Sequence, residues 1–216
     1  MAAMKTARKS AKPRTKEQDA PDASGAFLDG QLLVAMPGMS DERFSRAVIY
    51  MCAHSADGAM GIMLNKPSGV RNFPELLEQL RVIDPAEGVS LPPATQDIQV
   101  LSGGPVQTDR GFVLHSADFF LDNSTLKIND SVSLTATIDI LRAIATGQGP
   151  DRALLALGYA GWDAGQLENE IQLNGWLTCP ADPGILFDAD LDTKYARALR
   201  SIGVELTSLS ANAGHA

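Results

Sequence analysis

The stretch LGYAGWDAGQLENEI, from Leu157 to Ile171, decides how this chain folds. Together with the preceding letters RALLA it contains a nearly continuous apolar run, which predicts a strand buried on both faces. Glycines at positions 158 and 161 let the backbone turn sharply or approach another strand closely. An acidic helical run follows, so the stretch predicts a tight junction between a buried strand and a helix.

The helix in this stretch begins with a capping signature. Asp163 stands at the expected N-cap position and Gln166 follows three residues later, which is a variant of the capping box. The two side chains would satisfy backbone amides that otherwise lack partners. Trp162 has the pattern of an exposed residue, and we expect it to pack at the corner between strand and helix.

Three glycine-rich motifs are excluded by the residues that this stretch lacks. A P-loop needs a lysine and a Ser or Thr after its glycines, and no lysine follows Gly158 and Gly161. The glycine spacing is GxxGxxxG, whereas a dinucleotide-binding turn needs GxGxxG. A nucleophile elbow needs a serine between its two glycines, but Tyr159 and Ala160 stand there.

A ligand or partner surface around Trp162, Gln166 and Glu168 is the functional alternative to a purely structural corner. Helix N-termini attract anions because their first amide groups lack partners. In this chain the negative charges of Asp163, Glu168 and Glu170 already lie near the helix N-terminus. An anionic ligand is therefore disfavoured here.

The charge is divided unevenly along the 216 residues, whose net charge is −8. Residues 1–20 carry six basic and two acidic side chains, a net charge of +4 that leaves −12 for the remainder. An acidic body repels nucleic-acid phosphates, so direct DNA binding by the body is disfavoured. The basic segment could contact an anionic partner, although a short tail supplies little specificity.

The two cysteines, Cys52 and Cys179, belong to no CxxC pair, which excludes a zinc ribbon and a thioredoxin-type site. We expect both to be reduced, buried and packed as small apolar residues in a cytoplasmic protein. No apolar run reaches the ~18 residues that span a bilayer, and the N-terminal residues lack the apolar centre of a secretory signal. We expect no membrane segment, no metal and no cofactor.

The pattern of strands and helices predicts an α+β fold with a mixed sheet. Strands are followed by strands and helices that do not alternate strictly, which argues against a doubly wound fold. Residues 1–25 are predicted to be a disordered basic extension, and residues 26–216 a single domain with a loose C-terminal tail. The length of the chain suits one large domain with a substantial core.

Several elements are predicted individually from turn and cap signals. Residues 46–64 predict a hairpin about the turn SADG, and GFVLHS is the expected antiparallel partner of IQVLS across a Gly-Gly-Pro turn. Helices are predicted at Asn72–Leu80 with Asn72 as cap, at 138–146 before Gly147, and at 192–202 with Asp192 as cap.

Two histidines, His54 and His115, each end a predicted strand and are candidates for proton transfer or ligand binding. Neither has the close spacing of a metal-ligand motif, so hydrogen-bonded structural histidines are the alternative. Gly103 and Gly104 could form a nest of backbone amides or only a tight turn. Asn65 stands at the end of the third predicted strand, where turn chemistry is its other interpretation.

The body resembles the AlgH/YqgE family of bacterial proteins. Four segments carry the resemblance between residues 29 and 188: DGQLLVAMPGMSDERFSRAVIYMCAHSADGAMGIMLNKP, LSGGPVQTDRGFVLH, LALGYAGWDAGQLENEIQLNGWL and ILFD. Residues 1–24 precede the usual start of family members, so nothing carries over to them. The residues that match the family's motifs are Pro37, His54, Gly61, Asn65, Gly103, Gly104, Pro105, His115, Gly158, Gly161, Trp162, Gln166 and Glu168.

The resemblance implies a single α+β domain with a mixed, largely antiparallel, partly barrel-like sheet flanked by helices, in a bacterial cytosolic protein. Some members carry the label of transcriptional regulator, from a link to alginate gene expression. The family supplies no established active site, and this chain has neither a helix-turn-helix pattern nor a basic recognition helix. If the label applies, the physics favours an indirect route through a protein partner or a small ligand.

Three functional hypotheses follow from the sequence. The first is a non-enzymatic regulatory or interaction protein with no catalytic residues and a protein partner. The second is an enzyme or small-molecule-binding protein with a cleft formed by His54, His115, Asn65 and the Gly-Gly turn. The third, ranked lowest, is DNA binding by the basic extension. The oligomeric state is left open.

Overall fold

The computed structural model describes residues 27–70, 72–83 and 91–205. The predictions for the basic extension and for the tail after residue 205 lie outside this part of the chain. The strands are β1 Gln31–Ala35, β2 Val48–Ser55, β3 Gly58–Met63, β4 Val100–Ser102, β5 Val106–Ser116, β6 Thr125–Lys127, β7 Val132–Thr135, β8 Ala153–Asp163 and β9 Trp176–Pro180. The helices are α1 Phe73–Gln79, α2 Ile138–Ala145, α3 Gln166–Gln172, α4 Pro183–Leu186 and α5 Leu191–Ser201.

The nine strands form one curled sheet in the order β6-β7-β5-β8-β3-β2-β1-β9, with β4 paired to β8 off this path. All strand pairs are antiparallel except β4 with β8, which run parallel. The predicted α+β class and the mixed, largely antiparallel, partly barrel-like sheet are thus confirmed. The predicted hairpin is also present as β2 and β3, which pair from Ile49↔Met63 to Ser55↔Gly58.

Strand β8 joins the two parts of the sheet, as its long apolar run predicts. Its first half lies between β4 and β5, with Leu155 paired to both Val100 and Val113. Its second half pairs with β3 from Gly61↔Ala160 to Gly58↔Asp163. Because one strand contacts three others, the two halves of the sheet cannot separate without unpairing β8.

The alternation of side chains along β8 reverses at Gly158. Before this glycine, Leu154 and Ala156 face the inner core of the curled sheet, whereas after it Ala160 and Trp162 face the outer side. Gly158 has φ +74°, a left-handed conformation that side chains other than glycine rarely adopt. A regular strand keeps even-numbered residues on one face, so this one residue moves Trp162 to the outer face.

Three clusters of buried side chains cover both faces of the sheet. The inner cluster lies beneath α4 and α5 and includes Tyr50, Leu114 and Tyr195. The outer face carries one cluster beneath α3 and another beneath α1 and α2. Strands β1 and β2 contribute alternate residues to the two faces, which is the period-two pattern of a strand buried on both sides.

The Gly-Gly-Pro turn does not join a hairpin, so the predicted pairing of IQVLS with GFVLHS is wrong. Strand β8 lies between β4 and β5, and the turn carries the chain across β8. A Cβ atom at Gly103 would overlap the carbonyl oxygen of Gly158, and one at Gly104 would overlap the Tyr159 backbone. The two glycines therefore permit close backbone contact, which local turn propensity does not reveal.

Two of the three predicted N-caps are wrong and one is confirmed, while the predicted left-handed Gly147 after α2 is present with φ +72°. Asn72 caps α1, with its side-chain oxygen accepting the Glu75 amide hydrogen bond at 2.9 Å. For α5 the cap is Asp190 instead of Asp192. For α3 the residue before the first turn is Gly165 with φ +72°, and Asp163 belongs to β8. The Gln166 side chain nevertheless reaches back to the Asp163 amide, at 3.0 Å, as predicted.

Lys194 is fully buried on α5, which the sequence does not indicate. Its ammonium group donates a hydrogen bond to the carbonyl oxygen of Leu186 at 2.8 Å. Burial lowers the pKa of Lys194 to about 8, and the nearby Asp188 carboxylate opposes that shift. Asp188 itself is engaged by Arg197. The positive charge of Lys194 therefore costs folding free energy near neutral pH.

We expect Gly104→Ala to lower the free energy of unfolding by about 3–5 kcal/mol, because backbone atoms of β8 cannot move away from the new methyl group. Urea denaturation followed by tryptophan fluorescence measures this change. Gly69→Ala is the matched control, since no atom lies within 4 Å of a Cβ added there. Equal stability of the two variants would contradict the role given to Gly104.

We expect wild-type stability to rise relative to Lys194→Met by about 2–3 kcal/mol between pH 7 and pH 10. In the unfolded chain Lys194 keeps its proton up to its ordinary pKa of 10.5, whereas in the folded chain it loses it near pH 8. Raising the pH therefore removes the cost of the buried charge. Denaturation curves at both pH values test this, with exposed Lys127→Met as control, and parallel pH profiles would refute it.

Candidate functional site

A cleft of about 670 Å³ opens between the loop after β1, the start of α3 and the start of β9. Its lining exposes polar and apolar surface in similar amounts, and its apolar side chains include Met36, Met39, Phe44, Pro105 and Leu173. Two of the sequence candidates, Trp162 and Gln166, line the cleft.

The carboxylate of Glu170 holds the floor of the cleft together. One of its oxygens accepts hydrogen bonds from the indole N–H groups of Trp162 at 3.0 Å and Trp176 at 2.7 Å. The other oxygen accepts a hydrogen bond from the Gln166 amide at 2.8 Å. Hydrogen bonds to an ionised acceptor are stronger than neutral ones, so this carboxylate fixes both indole rings.

Aromatic rings pack edge to face beneath the cleft. The rings of Trp162 and Trp176 lie 5.9 Å apart at 80°, and Phe44 lies 5.6 Å from Trp176 at 71°. Only 7% of Trp162 is exposed, so the expectation of an exposed tryptophan is wrong. The reversal at Gly158 turns Trp162 toward the cluster beneath α3, where it packs at the corner as predicted.

The short helix α3 presents one face to the cleft. Gln166, Glu170 and Leu173 recur at spacings of four and three residues, which places them on the same side of a helix. The helix ends at Gln172, and Asn174 shortly after it has a φ of +57°, which lets the Gly175 amide donate to the Glu170 carbonyl oxygen at 2.8 Å. This ending directs the chain into β9 and brings Trp176 back to Glu170.

An ion pair forms part of the rim. The Arg43 guanidinium donates to both oxygens of Asp41 at 2.6–3.1 Å. These hydrogen bonds hold the pKa of the Asp41 carboxyl below its usual value and raise the pKa of Arg43. Asp41 is therefore occupied, and it also caps the short 3-10 turn at Glu42–Phe44 by accepting the Arg43 amide hydrogen bond.

His54 and Glu168 meet on the opposite side of α3, away from the cleft lining. The Leu28 amide donates to Nδ1 of His54 at 3.1 Å, so Nε2 carries the proton that is donated to Glu168 at 2.9 Å. The backbone amide of Glu168 and its bond with His54 lower the pKa of this glutamate. The imidazole thus ties the start of the described chain to α3.

His115 is fully buried in a separate hydrogen-bond network. Its Nδ1 donates to the carbonyl oxygen of Ser116 at 2.9 Å, so Nε2 accepts from the hydroxyl of Thr135 at 2.9 Å. The Thr125 hydroxyl joins that of Thr135 at 2.7 Å. Burial lowers the pKa of His115 below its ordinary value, which favours the neutral ring.

The structure does not bring the two histidines into one site. His115 pairs with Ala153 on β8, whereas His54 reaches Trp162 on β8 through the intervening Ala59. Nine residues of β8 separate these positions, about 30 Å of extended strand. A shared cleft of the two histidines is therefore excluded.

The other candidates hold backbone in place. Asn65 accepts a hydrogen bond from the Val48 amide at 2.9 Å and donates to the Arg46 carbonyl oxygen at 2.8 Å. The Gly103 amide donates to the carbonyl oxygen of Leu157 at 2.8 Å, and the Gly103 carbonyl oxygen accepts a hydrogen bond from the Met63 amide. Gly104 contacts the Tyr159 backbone, and Pro105 after it lines the cleft. Among residues 27–70, 72–83 and 91–205, no group of three or more His, Cys, Asp or Glu side chains could hold a metal ion.

The sequence profile described as DUF179, AlgH-like, matches residues 32–207 of this chain. The chain belongs to the AlgH-like family. Among its curated relatives, the UPF0301 protein of Beijerinckia indica is 64% identical over 198 residues, which cover 92% of this chain and 97% of the relative. The UPF0301 protein of Methylocella silvestris is 67% identical over 192 residues, which cover 89% and 93%.

Two solved structures are similar to this AlgH-like chain. The solution structure of the AlgH protein from Pseudomonas aeruginosa matches with a TM-score of 0.68 and 46% identity, covering 93% of this chain and 100% of that protein. A crystal structure of a Corynebacterium diphtheriae protein matches with a TM-score of 0.61 over 80% and 86% of the two chains. Its identity of 21% supports likeness of fold alone.

Sequence reasoning missed Glu170, Trp176 and the Arg43–Phe44 wall of this AlgH-like cleft. One available signal was the placement of Trp162 and Trp176, the chain's two tryptophans, on either side of a short acidic helix. The decisive contact is the return of β9 to the side of β8 on which α3 packs, and that is a tertiary feature.

Of the described helices, none is long and apolar enough to cross a membrane.

We expect Glu170→Gln to lower the free energy of unfolding by about 1–3 kcal/mol, because an amide cannot accept three hydrogen bonds as the carboxylate does. Its NH₂ group would also face other donors. Denaturation followed by the fluorescence of the two indoles measures the effect. Glu168→Gln on the same helix is the control and should cost less, because its side chain is half-exposed. A larger loss in Glu168→Gln would contradict this assignment.

Proposed function

We propose that this AlgH-like chain is a non-enzymatic interaction protein of the bacterial cytoplasm, which regulates by docking an apolar segment of a protein partner. The Glu170 cleft is the proposed docking site. The observation that carries the proposal is a cleft that exposes several apolar side chains while its charged groups are all engaged by neighbours. Such a cleft is suited to binding and not to proton transfer.

The chemistry of the lining supports binding. A general acid or base must have a proton to exchange within reach of a substrate. Glu170 is held by three donors and Asp41 by Arg43, and none of the described residues that line the cleft is a histidine, lysine or cysteine. The Ser40 hydroxyl and the Asn174 side-chain amide can orient an occupant through hydrogen bonds.

The rim favours a macromolecular occupant over a small molecule. Leu173 is 72% exposed and extends the apolar surface outward from the cleft. A leucine exposed in this way gains little from a small ligand held inside, whereas a protein surface would bury it. Met36 and Met39 have flexible, polarisable side chains, which adapt to the shape of a docked segment.

The regulatory part of the proposal rests on the family's label and on charge. Outside residues 1–20 the chain carries a net charge of −12. A body of that charge is repelled by DNA phosphates, so an effect on gene expression would pass through a protein. The acidic body therefore supports an indirect route.

We expect Leu173→Asp to reduce capture of the protein partner from lysate of the source bacterium by about 10- to 100-fold, the value of burying one leucine. The measurement uses tagged full-length chain and quantitative mass spectrometry of the retained proteins. Leu126→Asp is the matched control, because Leu126 is also exposed but lies on β6 at the far edge of the sheet. Its capture should equal that of the wild type.

A photo-crosslinking side chain placed at position 173 should form adducts with the same partner, and one at position 126 should not. Equal retention of all proteins by wild type and Leu173→Asp would overturn the proposal. So would adducts formed equally from both positions.

A further inference from the structure

We infer that the chain's own basic segment, residues 4–16, docks along α3 and into the Glu170 cleft, where it competes with the partner. This inference rests on the proposed function, since it assigns a regulator to the same site. It makes the cleft self-occupied in the absence of a partner. Three observations carry it: where the described chain begins, which charges lie between that point and the cleft, and what lines the cleft.

The described part of the chain begins beside α3. The ring of Phe27 packs against His54 with centroids 5.3 Å apart, and the Leu28 amide donates to the same imidazole. His54 in turn bonds to Glu168 on α3 at 2.9 Å. The described chain therefore begins on one side of this helix, while the cleft opens on its other side along Gln166 and Glu170.

The path from Phe27 around α3 to the cleft is short compared with the length of chain between Lys16 and Phe27. A helix with its side chains is about 10–12 Å wide, so passing from one side of α3 to the other requires on the order of 20 Å. The residues between Lys16 and Phe27 can span up to about 36–40 Å when extended. The basic segment can thus reach the cleft mouth without any change in the domain.

The surface along this route is acidic. This surface consists of residues 27–30 before β1, residues 53–60 at the turn of the β2–β3 hairpin, and residues 161–175, which include the end of β8 and helix α3. They contain no lysine or arginine, and their carboxylates are Asp29, Asp57, Asp163, Glu168 and Glu170. The basic segment carries six cations and no acidic residue: Lys5, Arg8, Lys9, Lys12, Arg14 and Lys16. Opposite charges steer the segment onto this surface.

The cleft also supplies apolar contacts for the residue that precedes the cations. Met4 precedes the cations directly, and its unbranched side chain suits a cavity walled by Met36, Met39 and Leu173. Attachment to the same chain gives the segment a high effective concentration, so weak docking is enough to fill the site. A partner must then bind tightly enough to displace it.

The test places a nitroxide on the full-length variant Ser10→Cys and records relaxation enhancement by NMR. The label attaches selectively, because Cys52 and Cys179 are buried and burial raises the pKa of both thiols. We expect broadening of the Leu173 amide and of both indole N–H signals, which come from the two tryptophans of the cleft. The amides of Leu80 and Leu126, both exposed elsewhere, should stay sharp.

Two perturbations should abolish the broadening. One is the charge reversal Lys9→Glu, Lys12→Glu, Arg14→Glu and Lys16→Glu in the same full-length chain. The other is about 0.5 M salt, which shortens the screening length to a few ångströms. Unbroadened cleft signals, or broadening as strong at Leu126 as at Leu173, would overturn the inference. Mixing spin-labelled chain with isotope-labelled, unmodified chain checks for a second copy, and broadening confined to that mixture would likewise overturn docking within one chain.

The outcome is separable from that of the proposed function. With the cleft self-occupied, the charge-reversed chain should capture more partner than the wild type. Partner capture that depends on Leu173 but is unchanged by the reversal would leave the proposed function standing and refute the self-docking. Broadening at the cleft without any Leu173-dependent capture would support the self-docking and refute the proposed function.

Discussion

Close contact between the backbone of β8 and the Gly103–Gly104 turn is the constraint on which the rest of the structure depends. Side chains at these glycines would overlap Gly158 and Tyr159, so the chain can cross β8 here only without them. The crossing leaves β8 between the parallel strand β4 and the antiparallel strand β5 while its far half pairs with β3. One strand thereby unites the curled sheet.

The same crossing decides where the candidate site forms. Gly158 reverses the alternation of β8, which turns Trp162 outward beneath α3. The chain then folds back so that Trp176 meets the same carboxylate, Glu170, from β9. A charged group shared by two indoles gives a rigid floor, and the loop after β1 supplies the wall. The cleft is thus a consequence of how the sheet is closed and not an addition to it.

The polar groups that resemble catalytic residues are used for structure. His54 joins Leu28 to Glu168, and His115 joins Ser116 to Thr135, with each ring nitrogen engaged. No described, buried side-chain nitrogen or oxygen lacks a hydrogen-bond partner. Fully satisfied hydrogen-bond networks help to make a fold specific. The proposed function therefore rests on the cleft and not on either histidine.

The sequence by itself determined the elements with strong local causes: the β2–β3 hairpin from its turn, α1 from its Asn72 cap, and β8 from its apolar run. It also indicated Trp162 and Gln166 as site residues, and the family resemblance indicated the sheet type. Only the tertiary structure decided that β4 and β5 are separated by β8, that Trp162 is buried, and that Glu170 and Trp176 belong to the site. The physical reason is range: caps and turns are contacts between residues a few positions apart, whereas register and facing depend on one glycine conformation and on strands distant in sequence.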